Sequence, residues 1–345
     1  MLLVLSNRER NPLGSGVNTF SICINPEGAD TVLLASAEPQ ASDWSIQLIP
    51  SDSNQDWSTS AQCNDKLAEI VANMKQAAFT PADSPICRDA ASGTITWVLL
   101  IPGYTSNLRD SLAKAKALEA TYRVNVILFS WPADPSGIEP SRYYTARDAA
   151  TFSSAKLNRL LQHLEQEFAT PARQALGEKF RLNLLMHSLG NRVFEKYALS
   201  QKAKNAASIG GLFDTIIMHQ PDVDSDIAGN WLPIVKPRHN LYLTINKHDA
   251  ILMISDIVNK TRLGMFPGAS LASACPQLSV IDLTGGHFVA GSHWFFTDID
   301  NAIIRLICQR MLAGDIAGAD ISLGLGHTLV YDHDLHHYVL SAGNQ

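Results

Sequence analysis

One serine stands at the junction of an apolar run and a helical pattern. Residues 180–186 are mostly apolar, as in a buried strand, and residues 191–201 show helical spacing. Ser188 lies between them, in the motif Met186-His-Ser-Leu-Gly190. A sharp strand-to-helix turn lifts a serine hydroxyl off a sheet, and small residues usually flank it because neighbouring backbone approaches closely. Gly190 fits this pattern, whereas Met186 stands where glycine is expected. The setting makes Ser188 a candidate nucleophile.

An acid is needed as well, because a serine is activated by a base that an acidic side chain orients. With a serine in this setting, the acid follows later in the chain and a histidine follows the acid. Asp249 lies four residues after the end of the apolar run 241–245 and is the preferred acid, although it could instead cap the following helix. Asp222 and Asp224 follow the run 213–218 and are the alternatives. They could also cap a loop or form a weak metal site.

Two histidines are candidate bases, and both follow the apolar run 278–283. His293 is preferred over His287 because it precedes three aromatic residues, 294–296, which could anchor the loop in the core and hold the imidazole. His287 could instead line the pocket or bond to the backbone. The sequence leaves the choice between them to hydrogen-bond geometry.

Backbone N–H groups would have to stabilise the oxyanion formed when the serine attacks a carbonyl. One donor is expected from the residue after the nucleophile, Leu189, and another from the loop after an earlier strand. Residues 101–107 form such a loop, in which Gly103 lets the backbone turn inward and the N–H of Tyr104 is the expected donor. Three residues are expected near the pocket: Gly103, Trp131 and His187.

Alternating strand and helix patterns must position these residues. Strands without polar alternation, separated by helical segments, indicate a mostly parallel sheet covered on both faces, in which function lies at the carboxyl ends of the strands. The predicted fold is therefore α/β. The predicted strands are residues 95–101, 124–129, 180–186, 213–218, 241–245 and 278–283.

Three regions are predicted along the chain. Residues 1–93 form a β-rich N-terminal extension that packs on the core, residues 94–314 form the catalytic core, and residues 315–345 form a C-terminal tail. No histidine spacing in the tail matches a zinc motif, so a polar β segment or a frayed tail is favoured over a metal site. No metal or other cofactor is predicted. The tail histidines are His327, His333, His336 and His337.

Composition excludes several classes of protein. With 345 residues, 46% hydrophobic and 17% charged, the chain is neither disordered nor a small disulfide-stapled scaffold. A net charge of −6 provides no basic surface for nucleic acid. No stretch is suited to cross a membrane, and five scattered cysteines without CxxC spacing favour free thiols and a cytoplasmic location.

Several of these motifs occur together in one family. The chain resembles the esterase/lipase superfamily of α/β-hydrolase-fold proteins, and it is similar to a mainly bacterial family of α/β hydrolases of unknown function. The resemblance covers roughly residues 94–312, with Pro102 in place of the family's loop histidine. The motifs are Pro102-Gly-Tyr104, Phe129-Ser-Trp-Pro132, His187-Ser-Leu-Gly190, Pro221-Asp-Val-Asp224, Asp249 and His293.

The resemblance implies a three-layer sandwich and a serine hydrolase. Ser188 would be the nucleophile, Asp249 the acid and His293 the base of a triad that cleaves small carboxylic esters through an acyl-enzyme. Two alternatives remain open. The chain could be a non-catalytic binding or interaction module with this fold, or the same triad could transfer the acyl group to another hydroxyl. Protein partners are not predicted.

Overall fold

The computed structural model describes most of the chain. The described residues are 2–25, 32–49, 93–135, 141–167, 180–268, 270–286, 288–298, 300–316, 318–334 and 337–342. They contain fourteen strands and six α-helices. The chain divides into two compact units, Met1–Leu182 and Asn183–Gln345. The part of the predicted N-terminal extension at residues 50–92 lies outside the described residues, and the predicted boundaries at 93 and 314 remain predictions.

The first unit carries a five-stranded arrangement in the order β6-β7-β1-β4-β5. The pairs β6–β7 and β7–β1 are parallel, whereas β1–β4 and β4–β5 are antiparallel. A separate antiparallel pair joins β2 and β3. The strands are β1 (Leu2–Ser6), β2 (Arg8–Arg10), β3 (Phe20–Ile24), β4 (Leu33–Pro39), β5 (Trp44–Ile49), β6 (Ile95–Ile101) and β7 (Asn125–Ser130).

Two helices belong to the first unit, α1 (Leu108–Tyr122) and α2 (Ser141–Glu167). The side chain of Asn107 caps α1 by accepting a hydrogen bond from the N–H of Asp110. The helix ends at Arg123, which adopts the left-handed conformation with φ of 52°. Apolar residues of α1 that include Leu112 are buried, as expected for a helix that covers a sheet.

The second unit has seven strands in the order β12-β13-β14-β11-β10-β9-β8. Strands β8 to β11 and then β14 are joined by parallel pairs, and β14–β13 and β13–β12 are antiparallel. The strands are β8 (Phe180–His187), β9 (Thr215–His219), β10 (Asn240–Ile245), β11 (Leu278–Asp282), β12 (Ile321–Gly324), β13 (His327–Asp332) and β14 (His337–Ala342). The helices are α3 (Gly190–Ala203), α4 (Ala250–Val258), α5 (Leu271–Ala274) and α6 (Ala302–Ala313).

Register brings the carboxyl ends of these parallel strands to one edge. His187 at the end of β8 is paired with His219 at the end of β9, and Ile245 of β10 is paired with Asp282 of β11. Loops that leave these ends therefore converge. The predicted α/β fold, with a mostly parallel sheet and a β-rich N-terminal segment, is confirmed.

The segment predicted as a C-terminal tail contributes strands β12 to β14. Alternation explains this, because Leu329, Tyr338 and Leu340 are buried while Val330 and Val339 point outward. Cys23, Cys275 and Cys308 are free thiols, while Cys63 and Cys87 lie outside the described residues. None of the helices that the structure describes has the length and apolar character needed to cross a membrane.

Candidate active site

The turn that carries Ser188 has the backbone that a nucleophile elbow requires. Strand β8 ends at His187 and helix α3 begins at Gly190, so only two residues make the turn. Ser188 has φ of +51°, in the left-handed region that few residues other than glycine adopt. A non-glycine residue in this region is held there by its surroundings and is a mark of functional sites.

Hydrogen bonds hold this conformation from both sides. The N–H of Ser188 donates to the carbonyl of His219 at 3.0 Å, and the carbonyl of Ser188 accepts from the N–H of Asp222 at 3.2 Å. The side-chain amide of Asn191 donates to the carbonyls of Met186 and Ser188, at 3.2 and 3.0 Å. Met186 is fully buried in β8. The turn therefore keeps its backbone although Met186 replaces the expected glycine.

Asp249 and His293 form a close carboxylate–imidazole pair. Oδ2 of Asp249 lies 2.6 Å from Nδ1 of His293. A carboxylate only accepts, so Nδ1 carries the proton in this contact. The same Asp249 caps α4, because its Oδ1 accepts from the N–H groups of Ile251 and Leu252, each at 3.0 Å. The contact with His293 and the helix cap thus use different oxygens of one buried carboxyl group.

The other ring nitrogen of His293, Nε2, is available to accept a hydrogen bond. Nε2 is buried and has no hydrogen-bond partner among the described residues. Because Nδ1 bears the proton, Nε2 carries a lone pair that can accept one. The ring therefore has the tautomer that a general base needs.

His187 links His293 to the elbow. Its Nε2 lies 3.0 Å from the carbonyl oxygen of His293, which can only accept, so Nε2–H is the donor. The centroids of the two imidazole rings are 4.6 Å apart. Since His187 directly precedes Ser188 in the chain, this contact brings the backbone of His293 to the residue next to the candidate nucleophile.

The alternative acids are engaged elsewhere. Asp222 and Asp224 both form ion pairs with the buried Arg262, at 3.4 Å in the case of Asp222. Asp222 also accepts a hydrogen bond from the hydroxyl of Ser255 at 2.6 Å. The guanidinium group of Arg262 contacts both carboxylates, and their negative charges compensate its positive charge. The alternative base, His287, lies outside the described residues.

Sequence reasoning missed His219 and Asn246 as parts of this region. The side chain of Asn246 donates to the carbonyls of Ala290 and Ser292, at 2.8 and 3.3 Å, and so fixes the turn before His293. Both residues are polar and stand at or just after the end of an apolar strand. That position at the functional edge of a parallel sheet was the available signal.

The loop predicted to supply a second oxyanion donor belongs to the first unit. Trp131 is fully buried, and its indole N–H donates to the carbonyl of Pro102 at 2.8 Å. Thr105 has φ of +60°, and its N–H donates to Ala133 at 3.0 Å. Trp131 thus holds the loop that contains Gly103 and Tyr104. The roles of these residues in a pocket and an oxyanion hole remain predictions.

No group of three or more His, Cys, Asp or Glu side chains in the described ranges is arranged to hold a metal ion. The acidic side chains discussed above contact protein side chains. Asp249 pairs with His293, and Asp222 pairs with Arg262.

The chain matches a protein family over part of its length. Residues 89–285 match a family described as "Alpha/beta hydrolase of unknown function (DUF900)". The match covers more than half of the 345 residues. It includes Ser188 and Asp249 and ends before His293. A comparison with curated proteins found no significant match.

Proposed function

Because the chain belongs to this family of α/β hydrolases of unknown function, we propose that it is a serine hydrolase that cleaves carboxylic esters. Ser188 is the proposed nucleophile, His293 the proposed base and Asp249 the proposed acid. The observation that carries the proposal is the 2.6 Å contact between Asp249 and His293, which leaves Nε2 of His293 as an acceptor. The same histidine is joined through His187 to the elbow that holds Ser188.

In the proposed first step, the hydroxyl oxygen of Ser188 attacks the ester carbonyl carbon while its proton passes to Nε2 of His293. The carboxylate of Asp249 stabilises the imidazolium that forms. The oxyanion accepts a hydrogen bond from the N–H of Leu189, which precedes α3, where the helix dipole also favours negative charge. Tyr104 is proposed as the second donor on the sequence argument alone.

Collapse of the tetrahedral intermediate then breaks the bond to the leaving alcohol, which takes the proton from His293. Water enters, gives a proton to His293 and attacks the acyl-enzyme carbonyl. A second collapse releases the carboxylic acid and returns the proton to Ser188. The proton moved in each half-reaction is restored, and the reaction needs no oxidant or reductant.

A fluorophosphonate probe and a nitrophenyl ester test the proposal. We expect the folded protein to be labelled at Ser188 and to hydrolyse the ester, and we expect Ser188→Ala to lose the label and roughly 10⁴-fold or more of the rate. Ser200→Ala, in helix α3, is the matched control and should keep both. Absence of labelling in the folded protein, or full activity in Ser188→Ala, would contradict the proposal and favour a non-catalytic module. Product analysis with an added alcohol would separate hydrolysis from acyl transfer.

A further inference from the structure

Two buried imidazoles beside the site have no part in the proposed reaction. His187 and His219 end the neighbouring strands β8 and β9, and they are partners in the strand register. Their ring centroids are 5.5 Å apart. His187 is 4% exposed and His219 is fully buried. A buried polar ring requires hydrogen bonds, and the partners of these two rings identify what the rings do.

His187 bonds the backbone of the proposed base. Its Nε2–H donates to the carbonyl of His293 at 3.0 Å, and its ring packs 4.8 Å from the ring of Trp294. Both contacts are made by the residue that directly precedes Ser188. A shift of His187 would therefore move the elbow and the base relative to each other.

His219 bonds the same segment two residues further on. The N–H of Phe295 donates to its Nε2 at 3.4 Å, so Nε2 is unprotonated and the proton lies on Nδ1. Nδ1 is 2.9 Å from the hydroxyl of Thr244 in β10, to which it donates. The backbone carbonyl of His219 accepts from the N–H of Ser188 at 3.0 Å. This residue therefore contacts the nucleophile with its backbone and the base-bearing segment with its ring.

The segment that carries His293 needs such support. Between β11 and α6 the described residues form neither helix nor strand, so no regular ladder of backbone bonds sets the position of His293. A misplacement of about 1 Å in a reacting group can lower the rate ~10²-fold. Long-range side-chain bonds, together with the backbone bond from the N–H of Ala250 to the carbonyl of Gly291, constrain the segment in place of a ladder.

We propose that His187 and His219 are positioning residues that fix the backbone of residues 293–295 against the elbow of Ser188. The catalytic consequence rests on the proposed function, whereas the structural constraint does not. His187 supplies a donor to one end of the segment, and His219 supplies an acceptor to the other. Neither ring transfers a proton to the substrate.

Substitution of His187 provides the test. In His187→Gln the side-chain amide can donate in place of Nε2–H, whereas His187→Leu has a similar volume and no donor. We expect kcat to fall about 10–100-fold in His187→Leu with little change in KM, and to recover largely in His187→Gln. His239→Leu is the control, because His239 is exposed and precedes β10 at the opposite, amino end of the strand.

A second readout does not depend on catalysis. The Nδ1 proton of His293, held in a 2.6 Å contact with Asp249, should give a far-downfield proton resonance in protein labelled with ¹⁵N-histidine. We expect that resonance to persist in His187→Gln and to broaden or shift in His187→Leu. An unchanged resonance and unchanged kcat in His187→Leu would overturn the proposal. If Ser188→Ala kept full activity, the proposed function would fail, and this resonance would still test the constraint.

His187→Asn keeps the test decisive if His187→Leu does not fold. Asparagine is also polar, but its amide is one methylene shorter than that of glutamine and falls short of the His293 carbonyl. The proposal requires the glutamine variant to retain more activity and a sharper His293 resonance than the asparagine variant. Equal values in the two variants would overturn it.

Discussion

The proposed nucleophile and the proposed base are positioned in different ways. Ser188 lies between a strand and a helix, and backbone N–H and carbonyl groups hold it on both sides. His293 lies in an irregular segment, and side chains of residues far away in the sequence hold it. Asp249 is 44 residues away and His187 is 106 residues away. The proposed nucleophile is therefore held mainly through backbone groups, with help from the side chain of Asn191, whereas the proposed base is held mainly by side chains that the fold brings together.

This difference implies different sensitivities to substitution. Backbone bonds at the elbow survive most changes of side chain, which explains why Met186 is tolerated in place of glycine. The imidazole of His293, in contrast, should lose its tautomer or its position when the contact with Asp249 or with His187 is removed.

Two substitutions of Asp249 should separate its contribution to catalysis from its contribution to the stability of the fold. Asp249→Asn keeps a good N-cap for α4 but removes the charge that orients His293, so we expect kcat to fall about 10⁴-fold with little loss of stability. Asp249→Ala removes the cap as well and should cost an additional ~1 kcal/mol of unfolding free energy. Ester hydrolysis and thermal unfolding of the two variants measure the two contributions.

The Asp249 variants also have outcomes that would contradict this prediction. If Asp249→Asn kept most of its activity, the carboxylate would not orient the base, and the contact between Asp249 and His293 would be structural only. Equal stabilities of the asparagine and alanine variants would show that the cap contributes little.

Substitution of Arg262 tests whether the ion pairs of Asp222 and Asp224 stabilise the region of the elbow in addition to the backbone bonds. The N–H of Asp222 bonds the carbonyl of Ser188, and the side chains of Asp222 and Asp224 pair with the buried Arg262. Arg262→Met leaves the Asp222 carboxylate buried without its cation, so we expect a loss of about 3–5 kcal/mol of unfolding free energy. Denaturant unfolding measures this loss.

Lys260 is a matched control for that experiment. Lys260 lies two residues before Arg262 and pairs with Asp226, but both side chains of this pair are largely exposed. Such surface pairs contribute little, so Lys260→Met should leave the stability nearly unchanged. If Arg262→Met were as stable as Lys260→Met, the ion cluster would not support the elbow.

The same contrast explains what could be predicted from the sequence. Strand β8, the turn at Ser188 and the helix after it follow from local apolar patterns, and so does the place of Asp249 after β10. The bond between His219 and Phe295 spans 76 residues, and the pair between Arg262 and Asp222 spans 40 residues. No local pattern specifies such bonds, because they arise only when separate loops meet at one edge of the sheet. Likewise the sequence predicts the segment of β14 only as a polar β segment or a frayed tail, since its parallel partner β11 lies far away in the chain.

Gly264 bonds both the loop after β9, which contacts the Ser188 turn, and the loop after β10, which leads to Asp249. Its carbonyl accepts from the N–H of Asn246 and its own N–H donates to Pro221, each at 3.0 Å. A Cβ at this position would lie 2.8 Å from the carbonyl carbon of Gln220 and 2.9 Å from the nitrogen of Pro221. The backbone would have to shift, so we expect Gly264→Ala to lower the free energy of unfolding by about 1–3 kcal/mol.

The control for this substitution is Gly229→Ala. Among the residues that the structure describes, a Cβ at Gly229 would meet only the Cβ of Ala274, at an ordinary distance of 3.7 Å. Its thermal midpoint should stay close to that of the unsubstituted protein. Equal midpoints for the two alanine variants would mean that the loops around Gly264 can adjust independently.

Tyr242 should give the smallest effect, and one that depends on pH. It lies in β10, the strand that leads to Asn246 and Asp249, and its hydroxyl donates to the carbonyl of Ile316 at 2.9 Å. Burial raises the pKa of Tyr242 above its usual value near 10. The folded state therefore keeps this proton to a higher pH than the unfolded state does, so the stability it contributes is complete below about pH 10 and is lost as the pH rises further. We expect Tyr242→Phe to lower the free energy of unfolding by about 1 kcal/mol at neutral pH. Above about pH 10 the stability of this variant should decline less steeply than that of the unsubstituted protein, as measured by denaturant unfolding. An equally steep alkaline decline in Tyr242→Phe would assign that decline to other titrating groups.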